Sequence, residues 1–421
     1  MFIFLNILLH ICLFCWVKGK DAEIKENFES KTSTITIAFG GTYSFNRAKA
    51  SEVFDNIIKR SPHAFIWLRY LFEIDDDFEA VEELESLIQS FKSTGSYSTL
   101  RKNIYVDGAF SFPDAEEKSL LLDFIDENPD SERRRSKNIK SVLIKANKDD
   151  SANPNSIKII LLDIPSDPNS QLIDIDSLKR ELSVSNEVSL IVLASPIQIL
   201  PSDKFYEEHL DKELRFKILE LLTNSPVPTI IISSTELVPF GEIIEYPCPR
   251  NVGYSLTEIT SSGLNKRTDP FISTTNKLLV PGKFNTIKDR TFKSNFGILK
   301  IDMNFAEKNP IKVSVELVST KGDTLISKKD ITLPGYQYKS PKKVASLNCT
   351  SNLYNKSTSI RTHWRHFIQT IAQPEFRWII ILSVVITLFT LALFFFGLFS
   401  MYQPRNKYSV VVDEYTKFHM D

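Results

Sequence analysis

TITIAFGG at residues 34–41 and ASEVFDNIIKRSPHAFIWL at residues 50–68 decide the fold class. The first is a β-branched run stopped by paired glycines, the sign of a strand that ends in a tight turn. The second begins with helical periodicity, Val53, Phe54, Ile57 and Ile58 sharing one face, and ends in a short buried strand at 64–68. Downstream the alternation of types continues. Residues 78–91 predict an acidic amphipathic helix, 118–125 another helix, and 205–222 a long amphipathic one. SIKIILL (156–162) and VSLIVLA (188–194) are unbroken apolar runs of the kind buried on both faces, and 229–232 is a further strand. After Gly253 the pattern turns to strands and turns, at 256–260, 297–302, 313–318 and 328–333. Alternating strand and helix followed by a β-rich stretch predicts a layered α/β domain over residues 32–335, its sheets completed by the C-terminal strands.

The ends of the chain carry a different message. Residues 2–17 are almost continuously apolar and turn polar at Lys18, which predicts a secretory signal peptide over residues 1–19; an uncleaved signal anchor is the other reading. Residues 378–400 hold no charge and, at about 1.5 Å per residue, are long enough for a ~30 Å hydrocarbon core. Basic residues flank both sides of that run, so the signal peptide sets the orientation: N-terminus lumenal or extracellular, residues 401–421 cytosolic. A stalk over 336–377 joins domain and span. The expectation is a single-pass protein of the secretory or endosomal membranes or the cell surface.

With 51 basic and 52 acidic residues the chain offers no electrostatic case for nucleic acid. Of the four cysteines, Cys12 and Cys15 fall in the signal peptide. Cys248 and Cys349 remain for an oxidising compartment, where one disulfide is the economical reading and two separate thiols the other. Asn348 and Asn355 head N-x-S/T acceptors on the lumenal side, so the protein is expected to be a glycoprotein. In the tail, Tyr408 with Val411 and Tyr415 with Phe418 each place a tyrosine three positions before a bulky apolar residue. Such a peptide docks extended on a cytosolic sorting adaptor.

Several segments, in order, resemble the PhoD-like alkaline phosphatases, metal-dependent phosphoesterases with a calcineurin-like sandwich of two β-sheets flanked by helices. Phe39-Gly40-Gly41-Thr42 stands where that family has F-G-S-C, and residues 51–68 follow its helix and strand. LLLDFIDENPDSERRR (120–135), IILLD (159–163), IQILP (197–201) and EITSSGL (258–264) match further characteristic runs. The resemblance implies a site for two metal ions, which need anionic or lone-pair donors aimed inward.

The departures fall on those donors. The family's cysteine is Thr42 here. Its W-L-G-D-N is Trp67-Leu68-Arg69-Tyr70-Leu71, its W-D-D-H-D is Tyr105-Val106-Asp107-Gly108-Ala109, and its S-G-D-V-H is Ser233-Ser234-Thr235-Glu236-Leu237. Its phosphate-contacting arginine is Pro165. Thr42, Arg69, Tyr70, Asp107, Gly108, Thr235 and Leu237 are therefore degenerate site positions, and Asp107, Asp163, Gln198 and Glu242 would line what is left of the cleft. His63 and His209 are the domain's histidines, and neither has a carboxylate or cysteine at metal-ligand spacing. Asp75-Asp76-Asp77 and Arg133-Arg134-Arg135 read as solvated turns.

No catalytic residue, metal or other cofactor is expected. The leading reading is a pseudo-phosphatase whose lumenal domain binds a protein partner. Two others stay open: a divergent one-metal hydrolase using Asp107, Glu236 and Glu242, and a trafficking or assembly subunit acting through its span and tail.

Overall fold

The strand Thr34–Gly40 sends Ile35, Ile37 and Phe39 to one side and Thr36 and Ala38 to the other, so one strand serves two apolar cores. The structure is a computed structural model that describes residues 34–41, 43–44, 50–68, 72–73, 80–106, 115–128, 131, 139–145, 156–164, 173–183, 188–200, 210–235, 240–246, 254–264, 287–302, 310–334, 382–383 and 385–396. In chain order the described elements of the domain begin with β1 (Thr34–Gly40), β2 (Tyr43–Ser44), α1 (Ala50–Ile58), β3 (Ala64–Trp67), β4 (Phe72–Glu73), α2 (Ala80–Lys92), α3 (Gly95–Leu100), β5 (Ile104–Val106) and α4 (Ala115–Ile125). They continue with β6 (Ile139–Lys145), β7 (Ser156–Leu162), α5 (Ile175–Leu182), β8 (Val188–Ser195), α6 (Lys212–Asn224) and β9 (Thr229–Ser233). The C-terminal strands are β10 (Phe240–Tyr246), β11 (Leu256–Ser262), β12 (Ile287–Thr291), β13 (Asn295–Asp302), β14 (Ile311–Ser319) and β15 (Thr324–Leu333).

Two mixed sheets carry the domain. One has the order β15-β14-β13-β1-β3-β5 and the other β12-β10-β11-β9-β8-β7-β6. Each sheet has a parallel part, β1 with β3 and β3 with β5 in the first and β7, β8, β9 and β11 in the second, while β6 pairs antiparallel with β7 at the edge of the second. The antiparallel hairpins extend both sheets, which is the finishing role expected of the C-terminal strands. The continuous apolar runs expected to be covered on both faces are so: every residue of β7 and β8 is buried.

The main core lies between the sheets. Ile35, Ile37, Phe39, Ala64, Ile66, Leu299, Ile301 and Val315 meet the β7, β8 and β9 side chains there, and α5 and α6 add Leu178, Leu182, Ile218 and Leu222 to the same cluster. Phe39 packs directly over its register partner Gly297, where a Cβ would lie 2.1 Å from the ring. The other face of the first sheet carries an aromatic core. Phe54 of α1 sits edge-on to Phe65 of β3 and to Phe91 of α2, with Trp67, Tyr97 and Phe124 completing the cluster.

The chain divides into two units, Met1–Ser359 and Ile360–Asp421. In the second, residues 382–383 and 385–396 are helical, and their large apolar side chains are exposed. Among the described residues no helix is long and apolar enough to cross a membrane. The expected signal peptide, the 336–377 stalk, both ends of the 378–400 run and the tail motifs Tyr408, Val411, Tyr415 and Phe418 lie outside the described residues. So do Cys248, Cys349, Asn348 and Asn355.

Candidate functional site at the strand ends

In a parallel α/β sheet the carboxyl ends of the strands are where ligands are held, because helices begin there and connections diverge. In this domain the carboxyl ends of β1, β9 and β11 meet. Gly41, just past β1, lies against Ser234 and Ser262, just past β9 and at the end of β11. A Cβ on Gly41 would fall 2.0 Å from Ser234 Oγ and 3.1 Å from Ser262 Cα, so only glycine allows this approach. Ser234 is fully buried, and its Oγ has no hydrogen-bond partner among the described residues.

Beside this junction a polar row crosses the second sheet. Arg290 of β12 pairs in register with Glu242 of β10, Glu242 with Thr260 of β11, Thr260 with Ser233 of β9, and Ser233 with Ser195 of β8. Register partners point to one face of a sheet, so five polar side chains line up there. They bond along the row. Arg290 Nε donates to Glu242 Oε1 in a short ion pair, and Ser233 Oγ and Thr260 Oγ1 are 3.0 Å apart. Gln198, from the turn after β8, donates its amide to Thr260 Oγ1 (2.9 Å) and Glu242 Oε2 (3.3 Å).

The same turn is clamped from below. Glu258, two residues before Thr260 on the same face of β11, accepts the backbone N–H groups of Ile199 (2.9 Å) and Leu200 (2.5 Å), and Ser195 Oγ donates to the Ile197 carbonyl (2.6 Å). On the opposite face, Ser261 Oγ donates to Asn295 Oδ1 at 2.9 Å, joining the two sheets through β13. Ser262 Oγ donates to the Phe240 carbonyl and receives the Phe240 N–H (3.1 and 2.9 Å), and Thr235 Oγ1 lies 3.4 Å from it. Gln198, Glu242, Glu258, Thr260 and Ser233 are all within two per cent of complete burial, so these bonds are made out of water, where an unmade one is costly.

Of the positions singled out in the sequence, the structure brings Gln198 and Glu242 into contact. Asp163 stands just past β7, with β8, β9 and β11 between that strand and β10. Thr235 joins the Ser262 cluster. Thr42, Arg69, Tyr70, Asp107, Gly108, Glu236, Leu237 and Pro165 lie outside the described residues, as does His209. His63 lies at the opposite end of β3, where Nδ1 accepts the Thr36 N–H at 3.1 Å. The residues that sequence reading passes over are Arg290, Glu258, Thr260, Ser233 and Asn295. Their signal is present in part: EITSS alternates polar side chains on both faces of what is plainly a strand, which requires partners on each side.

These donors do not suit a pair of clustered divalent cations. The hydroxyls and the amide are engaged with one another, and the one carboxylate in the row, Glu242, already carries a guanidinium. Among the described residues no three His, Cys, Asp or Glu side chains gather where a metal would be held.

No protein-family model matches the chain, and no curated protein matches it. Among solved structures it is similar to the 5'-nucleotidase precursor from Thermus thermophilus, at 12% identity and a TM-score of 0.30, over 77% of this chain and 59% of that one. The chain thus spans less than two thirds of that protein's length, and at this TM-score the likeness carries no argument about activity. The architecture itself is two mixed sheets sharing one apolar core, with helices packed on them.

Proposed function

We propose that the chain is a non-catalytic PhoD-like protein, a single-pass membrane glycoprotein of the secretory or endosomal system or cell surface, whose domain binds or assembles with a protein partner. The ordered PhoD-like segments support the family, and the signal-like and apolar end segments support the anchoring. One observation supports the non-catalytic reading. Where the β1, β9 and β11 ends meet, the Gly41 backbone is seated on Ser234, and among the described residues the neighbouring hydroxyls bond to each other while the carboxylate of Glu242 is held by Arg290 and Gln198. A two-metal phosphoesterase needs carboxylates and imidazoles facing open space at such a junction. A fold retained without its chemistry offers its surface, and function then has to be sought in what docks on it.

Elemental analysis of the purified full-length chain, together with hydrolysis assays on a generic phosphomonoester and a phosphodiester, tests this. The expected result is substoichiometric iron, zinc, manganese and calcium, and no turnover. Tightly held metal with metal-dependent turnover would overturn the proposal and identify a rebuilt site.

A further inference from the structure

The start of the β1–β3 pair is built in an unusual way. After α1 the chain turns with Ser61 in the left-handed region (φ 48°), its N–H donating to the Ile58 carbonyl at 2.7 Å. Pro62 follows and has no N–H. His63 is thus the first residue able to pair with β1, and its N–H donates to the Thr36 carbonyl at 2.8 Å. In an unbroken parallel ladder the Thr36 N–H would return that bond to a backbone carbonyl two residues earlier, at Ser61. The turn at Ser61 takes the chain out of the ladder, and His63 Nδ1 receives the Thr36 N–H instead, at 3.1 Å. One residue therefore holds both hydrogen-bonding groups of Thr36, one through its backbone and one through its ring.

A ring nitrogen accepts a hydrogen bond only when it carries no proton. Adding a proton to Nδ1 would set two donors against each other. We infer that the His63–Thr36 clamp is an acid-sensitive latch on β1, closed while the imidazole is neutral and opened when it is protonated. The inference is independent of the proposed function, since it concerns the fold and not the strand-end site.

Charged groups stand on the neighbouring strands and at the α1 turn. Thr36 is in register with Lys300 of β13, whose Nζ lies 2.7 Å from Glu316 Oε1 of β14. Arg60, at the end of the α1 turn, holds the other Glu316 oxygen at 3.0 Å. Lys59 donates to Asn56 Oδ1 at 3.0 Å, and Asp302 of β13 is in register with Thr34. Arg60 and Lys300 thus both pair with Glu316, and Asp302 is the carboxylate that β13 itself carries. Burial pushes the His63 imidazole below its ordinary value, against a smaller upward pull from the Thr36 backbone.

The sign follows from linkage. A group that the fold prefers neutral contributes stability that is fully present above its unfolded value, about 6.5 for histidine, and is lost as pH falls from there towards the lower folded value. The latch opens at that lower value.

Amide hydrogen exchange on the full-length chain, expressed as protection factors at pH 7.5 and pH 5, reads the latch directly. The Thr36 amide is expected to lose protection about tenfold on acidification in the native protein. His63→Asn places an oxygen acceptor near the position of Nδ1 and does not titrate, so in that variant protection should not change over the window. An equal loss in both proteins, or none in the native one, would overturn the inference. If the variant does not fold, ¹⁵N spectra of the histidine rings of the native protein decide. Titration of His63 below the free-histidine range together with loss of the Thr36 bond supports the latch, and titration at or above that range overturns it.

Discussion

Glu242 is a carboxylate with no exposure, and its partner Arg290 retains 18% of its side-chain exposure. Buried ion pairs are poor sources of net stability but are costly to halve, because the surviving charge is left in a medium that cannot solvate it. Arg290→Met is therefore expected to destabilise the protein by about 3–5 kcal/mol, and adding Glu242→Leu should recover most of that loss. Chemical denaturation of the two variants measures it. A loss below about 1 kcal/mol in the single variant would mean that Glu242 reaches solvent or another cation. Both residues show how far single positions are legible. Glu242 stands out in the sequence as a polar residue left in a degenerate cleft. Its role depends on Arg290, 48 residues later, and a pairing between strands that distant has no local signature. Glu258 escapes notice for a related reason: it accepts from the backbone of Ile199 and Leu200, and backbone donors look the same in any sequence.

At the level of elements, legibility follows apolar continuity. The strands at β1, β3, β7, β8 and β9 and the helices at α1 and α2 are evident because each carries a run or stripe of apolar side chains. β10 and β12 are not, since FGEIIEY and IKDRT place charged residues where only a cross-strand partner makes burial tolerable. α5 escapes because IDSLKREL is short and mostly polar, with Leu178 and Leu182 its buried contacts. Such a helix relies on its cap: Asp174 Oδ1 accepts the Ser177 N–H at 3.0 Å. α6 is capped alike, Asp211 Oδ1 accepting the Leu214 N–H at 2.9 Å, but buries a wider face through Leu214, Ile218, Leu219 and Leu222. Asp211→Ala should therefore cost about 1 kcal/mol, measured as a shift in the denaturation midpoint at constant slope. A change in slope would instead point to a wider loss of structure.

The largest expectation drawn from the sequence concerns the molecule as a whole, and it rests on the second unit. The large apolar side chains that stand exposed among the described residues all belong to residues 382–396, among them Leu388, Phe389 and Phe394 to Phe396. In water so dense an apolar surface is unfavourable by roughly 25 cal/mol per Å², whereas in hydrocarbon it costs nothing. Residues 378–400, if helical throughout, would extend about 34 Å, enough for a bilayer with modest tilt. The full-length chain is accordingly expected to sediment with membranes and to stay there through alkaline carbonate washing. If residues 401–421 are cytosolic, Asn348 and Asn355 face the glycosylating side, and endoglycosidase should lower the apparent mass in a step abolished by Asn348→Gln with Asn355→Gln. Release by carbonate would remove the span. Retention with no glycosidase shift in the native chain would keep the span but leave its orientation without support, and with it the assignment of the Tyr408 and Tyr415 motifs to a cytosolic adaptor.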